Sequence, residues 1–555
     1  MKLKLDYKKT IKVGFAFAII MIFWTAYDFV VPYLLDRAFG LSNAMRGLVM
    51  GLDNLLSLFL LPIFGKISDK TKSRFGRRTP FIVLGTVATV ALMIFVPVSA
   101  NTQLKEANAL REEITQQMTD EQWGEIYENF GDKLYLNNNN IDKNKFIQIG
   151  MKGEYELESK GLIKKTYYDK DGNQLSDEQA KAYLDQNADY QRFCVSPFNS
   201  WMSKQINDNI TQHNISRLVV YMIILFFVLV SMATFRSPAV ALMPDVTPKP
   251  LRSPANAIIN LMGGVGGALA FVIYTVGFFI SSNPFIGIFA CVGGGMLLLL
   301  AVFLILVNEN KFVRECQEIC AEYGINNDED AIKKEEKDAV LTVQDKVENK
   351  KKMMSFFFIL AAIFMWFIGY NAVTSNLSVY TTRTLNLDPG VASIISGVSM
   401  GVSAIAFIPV GYLATKIGRR KSVIVGFVMA IISYILIWLW IRPSSYAQYV
   451  FAVFYLISGF GLIIANVNTF PMVVELAPES QVGRYTGYYY VATMSAQAVT
   501  PFFAGLIMDK LGDTALFAYS AISVVIAVVL MALVKHGDSR PVKKEAIKEV
   551  LEQDQ

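Results

Sequence analysis

Residues 65–80 read GKISDKTKSRFGRRTP, and the rest of the chain is organised around them. The stretch joins two long apolar runs and crowds Lys70, Lys72, Arg74, Arg77 and Arg78 around one carboxylate, Asp69. A weaker copy stands at 411–421, GYLATKIGRRK, again between two apolar runs. Two basic turns in two like halves are the pattern of a duplicated membrane protein. In the second copy Ala414 and Thr415 stand where a carboxylate is expected, so that turn is the weaker of the two.

Composition supports a membrane protein. The 555 residues are 53% hydrophobic and 18% charged, where soluble proteins carry about a quarter charged residues. Mean hydropathy is +0.36. A net charge of +5 is too small to argue for nucleic acid, and the basic clusters lie beside apolar runs, where they set topology. The four cysteines provide no disulfide framework. Cys316 and Cys320 share a helix face with no further ligand nearby, so no metal is expected. No nucleophile–base constellation supports an enzyme, and no catalytic residue is assigned. The run GGVGG at 263–267 lies inside an apolar span and lacks the Lys-Ser/Thr of a phosphate loop. Close helix packing, or a flexible point in the fifth span, is its expected role.

Twelve runs of about twenty apolar residues read as spanning helices. They lie near 13–35, 47–67, 79–98, 216–236, 254–280, 284–307, 354–382, 391–415, 421–440, 446–470, 486–508 and 514–534. The first holds Trp24, Tyr27 and Asp28 with no small-residue cleavage pattern, so it is a span and not a signal. Lys2, Lys4, Lys8, Lys9 and Lys12 precede it, and Lys535, Arg540, Lys543 and Lys544 follow the last. The connections after the fifth and seventh spans (281–283, 384–390) carry neither Lys nor Arg. Both termini are therefore expected in the cytoplasm. The chain divides into a first half (1–307), a charged cytoplasmic linker (308–353), a second half (354–534) and a tail (535–555). An extracellular insert at 99–214 is long enough to fold as a small domain. It is expected to hold a charged helix over 104–128 and a hairpin turning at Asp171-Gly172-Asn173.

Six spans, a charged linker and six more spans resemble the major facilitator superfamily. That resemblance implies an all-α membrane protein of twelve transmembrane helices, in two six-helix pseudo-symmetric halves that rock around a central site. The first basic turn, in its form SDxxxSRFGRRxPF, resembles the glycoside–pentoside–hexuronide:cation symporters, and among them the sucrose-transporter-like branch. RSPAVALMPDVTP at 236–248, followed by Ala255-Asn256-Ala257, carries the same likeness. It covers both halves but not the insert. Two departures bear on the coupling ion. Aligned on Pro62, the span-two carboxylates of sodium-using melibiose-type relatives fall at Ser57 and Leu61. Aligned on Pro238, the span-four Asp of plant-type sucrose carriers falls at Leu229. Sodium is therefore not expected, and a proton is the better reading.

A charge near the bilayer middle costs about 2.5–3.5 kcal/mol, so ionisable residues inside spans are functional candidates. Asp28 and Asp53 are the candidates for proton coupling. The competing roles are a carboxylate bonded to neighbouring helices and, for Asp53, a residue at the external interface. Tyr27, Trp366, Tyr370, Asn371, Ser375 and Asn376, with Asn256, Asn260, Asn466, Asn468 and Gln497, are candidates for substrate binding. Helix–helix hydrogen bonding competes for each. As a set they place neutral donors and acceptors beside aromatic faces, which suits a neutral polyol. No buried Lys or Arg stands near a midplane, since Arg217 and Arg383 lie at external span ends.

Gly65, Asp69, Arg74, Gly76, Arg77 and Arg78 form the expected cytoplasmic gate. Asp245 and Glu475, after spans four and ten, are the partner carboxylates for the basic turns, with Arg419 and Arg420 in the second copy. Such pairs would close the cytoplasmic side of an outward-facing carrier and break when it faces inward. Topology alone is the competing account of the turns. The sequence thus reads as a monomeric cell-membrane carrier, with the bilayer and a small sugar as partners and no cofactor beyond the proton. It would import a glucoside or an oligosaccharide such as sucrose or maltose. A drug or metabolite exporter, a non-cycling nutrient sensor and an uncoupled uniporter remain open.

Overall fold

The computed structural model describes residues 5–116, 118–152, 188–248, 251–281, 283–323, 343–398, 417–444, 446–476 and 482–536, with short pieces at 156–157, 166–167, 174 and 176. Helix α1, Tyr7–Phe39, starts where Asp6 accepts the Lys9 N–H at 3.0 Å. It ends at Gly40, whose φ of +56° is the left-handed cap that glycine adopts freely. Ser42 then caps α2, Asn43–Lys70, so the two helices are antiparallel neighbours across a tight connection.

Helix α3, Thr79–Met93, leads into α4, Phe95–Gln116. Together they run about 55 Å, against about 30 Å of hydrocarbon. The third span therefore extends past its expected end at 98 into the insert. There follow α5 (Asp120–Phe130), α6 (Lys133–Asn138), α7 (Lys143–Lys152), β1 (Glu156–Leu157), β2 (Thr166–Tyr167), α8 (Ala188–Phe193) and α9 (Val195–Ile206). A π-helical turn, Asn207–Thr211, closes the insert. Trp123, Ile126, Phe146, Phe193, Cys194 and Trp201 form its own apolar core.

One local expectation is corrected here. The helix over 104–128 is broken at Thr119, where a capping box with Gln122 starts α5. Strands β1 and β2 pair Glu156 with Tyr167 and Leu157 with Thr166; the expected turn at 171–173 lies outside the described residues.

The first half is completed by α10 (Ile215–Val246), α11 (Arg252–Ile280) and α12 (Phe285–Leu306), followed by the linker helix α13 (Glu309–Glu322). The second half holds α14 (Val343–Val379, ending in a π turn at Tyr380–Thr384), α15 (Pro389–Val398), α16 (Arg419–Trp440), α17 (Ala447–Glu475), α18 (Val482–Leu511) and α19 (Ala515–Leu533). Among the described residues, eleven helices are long and apolar enough to cross a membrane. The eighth expected span, 391–415, begins within α15, and its residues from 399 on lie outside the described residues. Each half packs its own apolar core, one around α1, α10 and α12 and one around α14, α16 and α19.

The internal repeat reaches down to the backbone. Gly76 (φ +104°) precedes Arg77-Arg78, and Gly418 (φ +89°) precedes Arg419-Arg420. Both positions need a left-handed conformation that a side chain resists. Helix α10 differs from expectation in length: with Pro238 and Pro244 inside it, it runs on to Val246. Arg236 is thereby an interior residue and not the end of a span.

Candidate functional site

A cavity of about 460 Å³ lies between the halves. Helix α1 supplies Met21, Thr25, Asp28 and Phe29, and α14 supplies Trp366, Phe367, Tyr370, Asn371 and Thr374. Both sets follow the spacing of one helix face. The opposite wall is Tyr434 of α16, Tyr455, Ser458 and Asn466 of α17, and Gln497 of α18. The ring centroids of Trp366 and Tyr370 stand 6.1 Å apart. Among the described residues, Asp28 is the one charged side chain in this lining. Such a wall offers aromatic faces, amides and hydroxyls, with a single carboxylate.

The cavity gathers Asp28, Trp366, Tyr370, Asn371, Asn466 and Gln497 from the sequence candidates. Others fall elsewhere because neighbours on a helix point about 100° apart. Tyr27 is buried, with its ring stacked on Phe23 at 5.7 Å. Ser375 donates to the Asn371 carbonyl at 2.6 Å. Asn376 is buried, donating to the Ala372 carbonyl at 3.0 Å and accepting from Arg46 at 3.4 Å. Asn468 donates to the Ile464 carbonyl at 2.8 Å. Asn256 and Asn260 are exposed on α11, outside this lining. Sequence reading missed Thr25, Tyr434, Tyr455 and Ser458. An aromatic or hydroxyl residue in an apolar span looks the same whether it faces a core or a cavity.

Behind Asp28 stands a second charged group. Asp53 is buried on α2 and accepts from the Asn54 amide at 2.8 Å. It sits about 10 Å along α2 from Arg46 toward the basic turn, so it lies inside the bundle and not at the external interface. Arg236 of α10 holds its guanidinium 5.2 Å from the Trp24 ring, within electrostatic reach of both Asp28 and Asp53. A partly buried cation therefore does stand inside a helix of the bundle, where the sequence reading saw none. Ending span four at 236 hid it.

The halves are tied at the insert end of the bundle. Arg383, at the end of α14, donates to Asp36 of α1 at 2.8 Å, to Asn43 of α2 at 2.6 Å and to Asp513 at 2.9 and 2.7 Å. Arg46 adds a bond to the same Asp36 oxygen at 3.2 Å and one to Asn43 at 2.5 Å. Two guanidinium groups and two carboxylates thus balance inside a buried cluster. Asp513, in the connection before α19, feels two opposed effects. Burial pushes its carboxyl up, and Arg383, Arg46 and Asn43 together more than cancel that, holding it below the ordinary carboxylate range. Beside the cluster, Asp509 of the second half accepts the Asn43 and Ala44 N–H groups at 2.8 Å each. It thereby caps α2, where a helix N-terminus favours an anion. Gly47, one turn on, lies against the Pro501 carbonyl with no room for a Cβ. None of these residues was read as a site except Asn43's neighbour in space, Asn376. The one available signal was the pair Asp36 and Arg46 flanking a tight connection.

The basic turns lie at the other end. Arg77 grips Asp245 with two bonds, at 3.1 and 2.6 Å, and Arg78 donates to Asp245 at 2.8 Å while pairing with Asp69 and Ser68. The Gly65 carbonyl accepts from Ser68 at 2.8 Å, and the exposed Arg74 gives its carbonyl to Asn310 at 2.8 Å. Arg419 donates to Glu475 at 2.6 Å, and Arg420 bonds the carbonyls of Met531 and Ala532 at the end of α19. The sequence reading expected such pairs to form and break with the transport cycle. Each pair lies inside its own half and joins the neighbouring connections that the sequence reading named. Glu309, the first residue of α13, was not foreseen. It accepts the N–H groups of Arg77, Arg78 and Thr79 at 2.8–2.9 Å, and the Thr79 hydroxyl at 2.8 Å.

Comparison with known proteins agrees with this architecture. A family model described as Major Facilitator Superfamily matches residues 356–552, and one described as MFS/sugar transport protein matches 13–106. No curated protein matches the chain. Solved structures similar to it include a D-xylose-proton symporter, 13% identical, covering 97% of this chain and 100% of that one at a TM-score of 0.53. A bacterial homologue of the human lysosomal transporter Spinster, inward-facing and occupied, is 13% identical over 96% and 97% at 0.53. A peptide transporter POT in complex with sulfate is 12% identical over 95% and 94% at 0.53. At these identities the likeness is one of fold.

Proposed function

The chain belongs to the major facilitator superfamily, and from that premise we propose that it carries a neutral polyhydroxy compound together with a proton. The substrate class is a glucoside or short oligosaccharide of the sucrose or maltose kind. The carrying observation is the cavity between the halves, where aromatic faces and neutral amides surround one carboxylate, Asp28. Aromatic rings cover the apolar faces of a sugar, and amides and hydroxyls match its hydroxyl groups. An anionic substrate would want a cation in that lining. The likeness of the turn at 65–80 to glycoside–pentoside–hexuronide symporters supports the same class.

Asp28 takes up the proton from the cavity, with Arg236 and Asp53 behind it as the charges it trades against. One charge crossing 100 mV is worth about 2.3 kcal/mol. That supports roughly fifty-fold accumulation. The insert end faces outward and the basic turns face the cytoplasm, following the Lys and Arg of the turns and tails. The protein works in the cell membrane as a monomer, with both termini inside.

The test is uptake of labelled sucrose and maltose into vesicles holding the purified protein, with and without an inward proton gradient. Gradient-driven accumulation that Asp28→Asn abolishes, with sugar exchange retained, supports the reading. No sugar movement under any gradient would sink it. One observation favours a second reading: a lone carboxylate among aromatic rings also suits an organic cation, as an exporter would bind. Proton-driven efflux of such a cation from the same vesicles would favour that reading.

A further inference from the structure

The insert is continuous with the first half at both ends, through α4 and through the turn before α10. It nevertheless grips three separate connections of the second half. Asp132, which caps α6, accepts from Arg442 after α16 at 3.3 Å and from Thr514 before α19 at 2.8 Å. The Arg442 guanidinium also lies over the Tyr135 ring at 4.2 Å. Ser200 of α9 donates to Asp513 at 3.1 Å, and Asn199 donates to the carbonyl of Arg383 at 3.0 Å. Between the insert and the bundle runs a cleft of about 610 Å³.

These contacts have a direction. If the halves part at this end, the insert leaves with the first half and every one of its bonds to the second half must break. The insert's own apolar core keeps it a single body, so the bonds do not yield one at a time through bending. We propose that the insert is an external clamp that holds the insert end shut, with Asp132 as its principal grip because one carboxylate spans two connections of the second half. The clamp sets how often the outward-open state is visited. The proposal rests on the alternating-access part of the functional reading and is independent of which substrate is carried.

The test is a distance measurement by pulsed EPR between labels at Ile215→Cys in the first half and Tyr446→Cys in the second. Both residues are exposed near the insert end, and a Cys291→Ser background removes the exposed native thiol. Asp132→Ala removes one partly exposed ion pair, one hydroxyl-to-carboxylate hydrogen bond and the cap of α6, and is expected to raise the population of the longer distance roughly tenfold. Glu121→Gln, exposed on α5 and outside both these contacts and the cleft lining, is expected to leave it unchanged. Should Asp132→Ala fail to fold, the pair Asp132→Cys and Thr514→Cys replaces the bond by a reversible cross-link. Oxidation should then hold the short distance and reduction release it. If Arg383→Ala opens the insert end while neither Asp132→Ala nor the cross-link moves the distribution, the insert rides passively and the proposal falls. If the distance stays single and short in Arg383→Ala as well, alternating access itself fails, and the clamp with it.

Discussion

Arg383 of α14 and Asp36 of α1 meet at 2.8 Å, although 347 positions separate them in the chain. Through that bond the last turn of the seventh span is fixed to the last turn of the first. Asp513 takes the rest of the same guanidinium. The charge on Arg383 is thereby met from both halves, and it cannot leave either carboxylate without stranding a buried charge.

Breaking a buried pair by removing one partner costs on the order of 3–5 kcal/mol. Arg383→Ala is therefore expected to abolish preference for the conformation closed at the insert end. Leu377→Cys, buried beside the cavity, provides the readout. A membrane-impermeant thiol reagent applied from the insert side should label it at least tenfold faster in the Arg383→Ala background. Equal rates would show that closure does not depend on this cluster.

Asp28→Asn keeps the shape of the cavity wall and removes its charge. Under the proposed function, accumulation driven by a proton gradient should fall to the equilibrium level, while exchange of sugar across the membrane persists within about threefold. Accumulation that survives would transfer the coupling role to Asp53, the other carboxylate that Arg236 faces.

How much of this was legible in the sequence depends on the kind of signal. Apolar runs of membrane length and Lys/Arg asymmetry gave the span positions, because both follow from the bilayer and need no tertiary information. The pairing of Arg77 with Asp245 and of Arg419 with Glu475 could be read because the repeat aligned them. What could not be read was direction on a helix and the true ends of helices. Asn371 and Asn376 are alike in sequence, yet one faces the cavity and the other faces Arg46. Arg236 was placed at a membrane edge because apolarity stops there, while α10 continues through two prolines to Val246. Prolines inside a spanning helix are tolerated when neighbours satisfy the freed backbone, and the sequence does not show the neighbours. The insert-end cluster joins residues from three distant connections, and no local pattern announces it.

The Asp513 carboxyl makes the cluster's pH response predictable in sign. Its folded pKa lies below the ordinary value of 3.8, with Arg383, Arg46 and Asn43 together prevailing over burial. A carboxylate depressed in the closed state contributes fully above the ordinary value, and its contribution is lost only as pH falls through the depressed one. Closure of the insert end through Asp513 should therefore be the same at pH 8 and pH 5. The EPR distance described above, taken at both values in the wild type, checks this. An opening centred between them would assign the pH-sensitive step to another group.

Glu309 carries the last prediction. It is buried, stands first in the linker helix, and accepts three consecutive backbone N–H groups and a hydroxyl at the start of α3. Those N–H groups are the ones a helix start leaves unsatisfied. Charge-assisted bonds of this kind are about twice as strong as neutral ones. Gly76 makes the approach possible: its φ of +104° suits glycine, and a Cβ there would overlap the Glu309 side chain. Glu309→Ala and Gly76→Ala should each lower stability by roughly 2–3 kcal/mol, since each leaves buried donors unpaired. Because they remove the same contact from opposite sides, the double variant should lose little more than either single one. Thermal unfolding of the four proteins in one detergent measures this, and additive losses would mean that the two residues act separately.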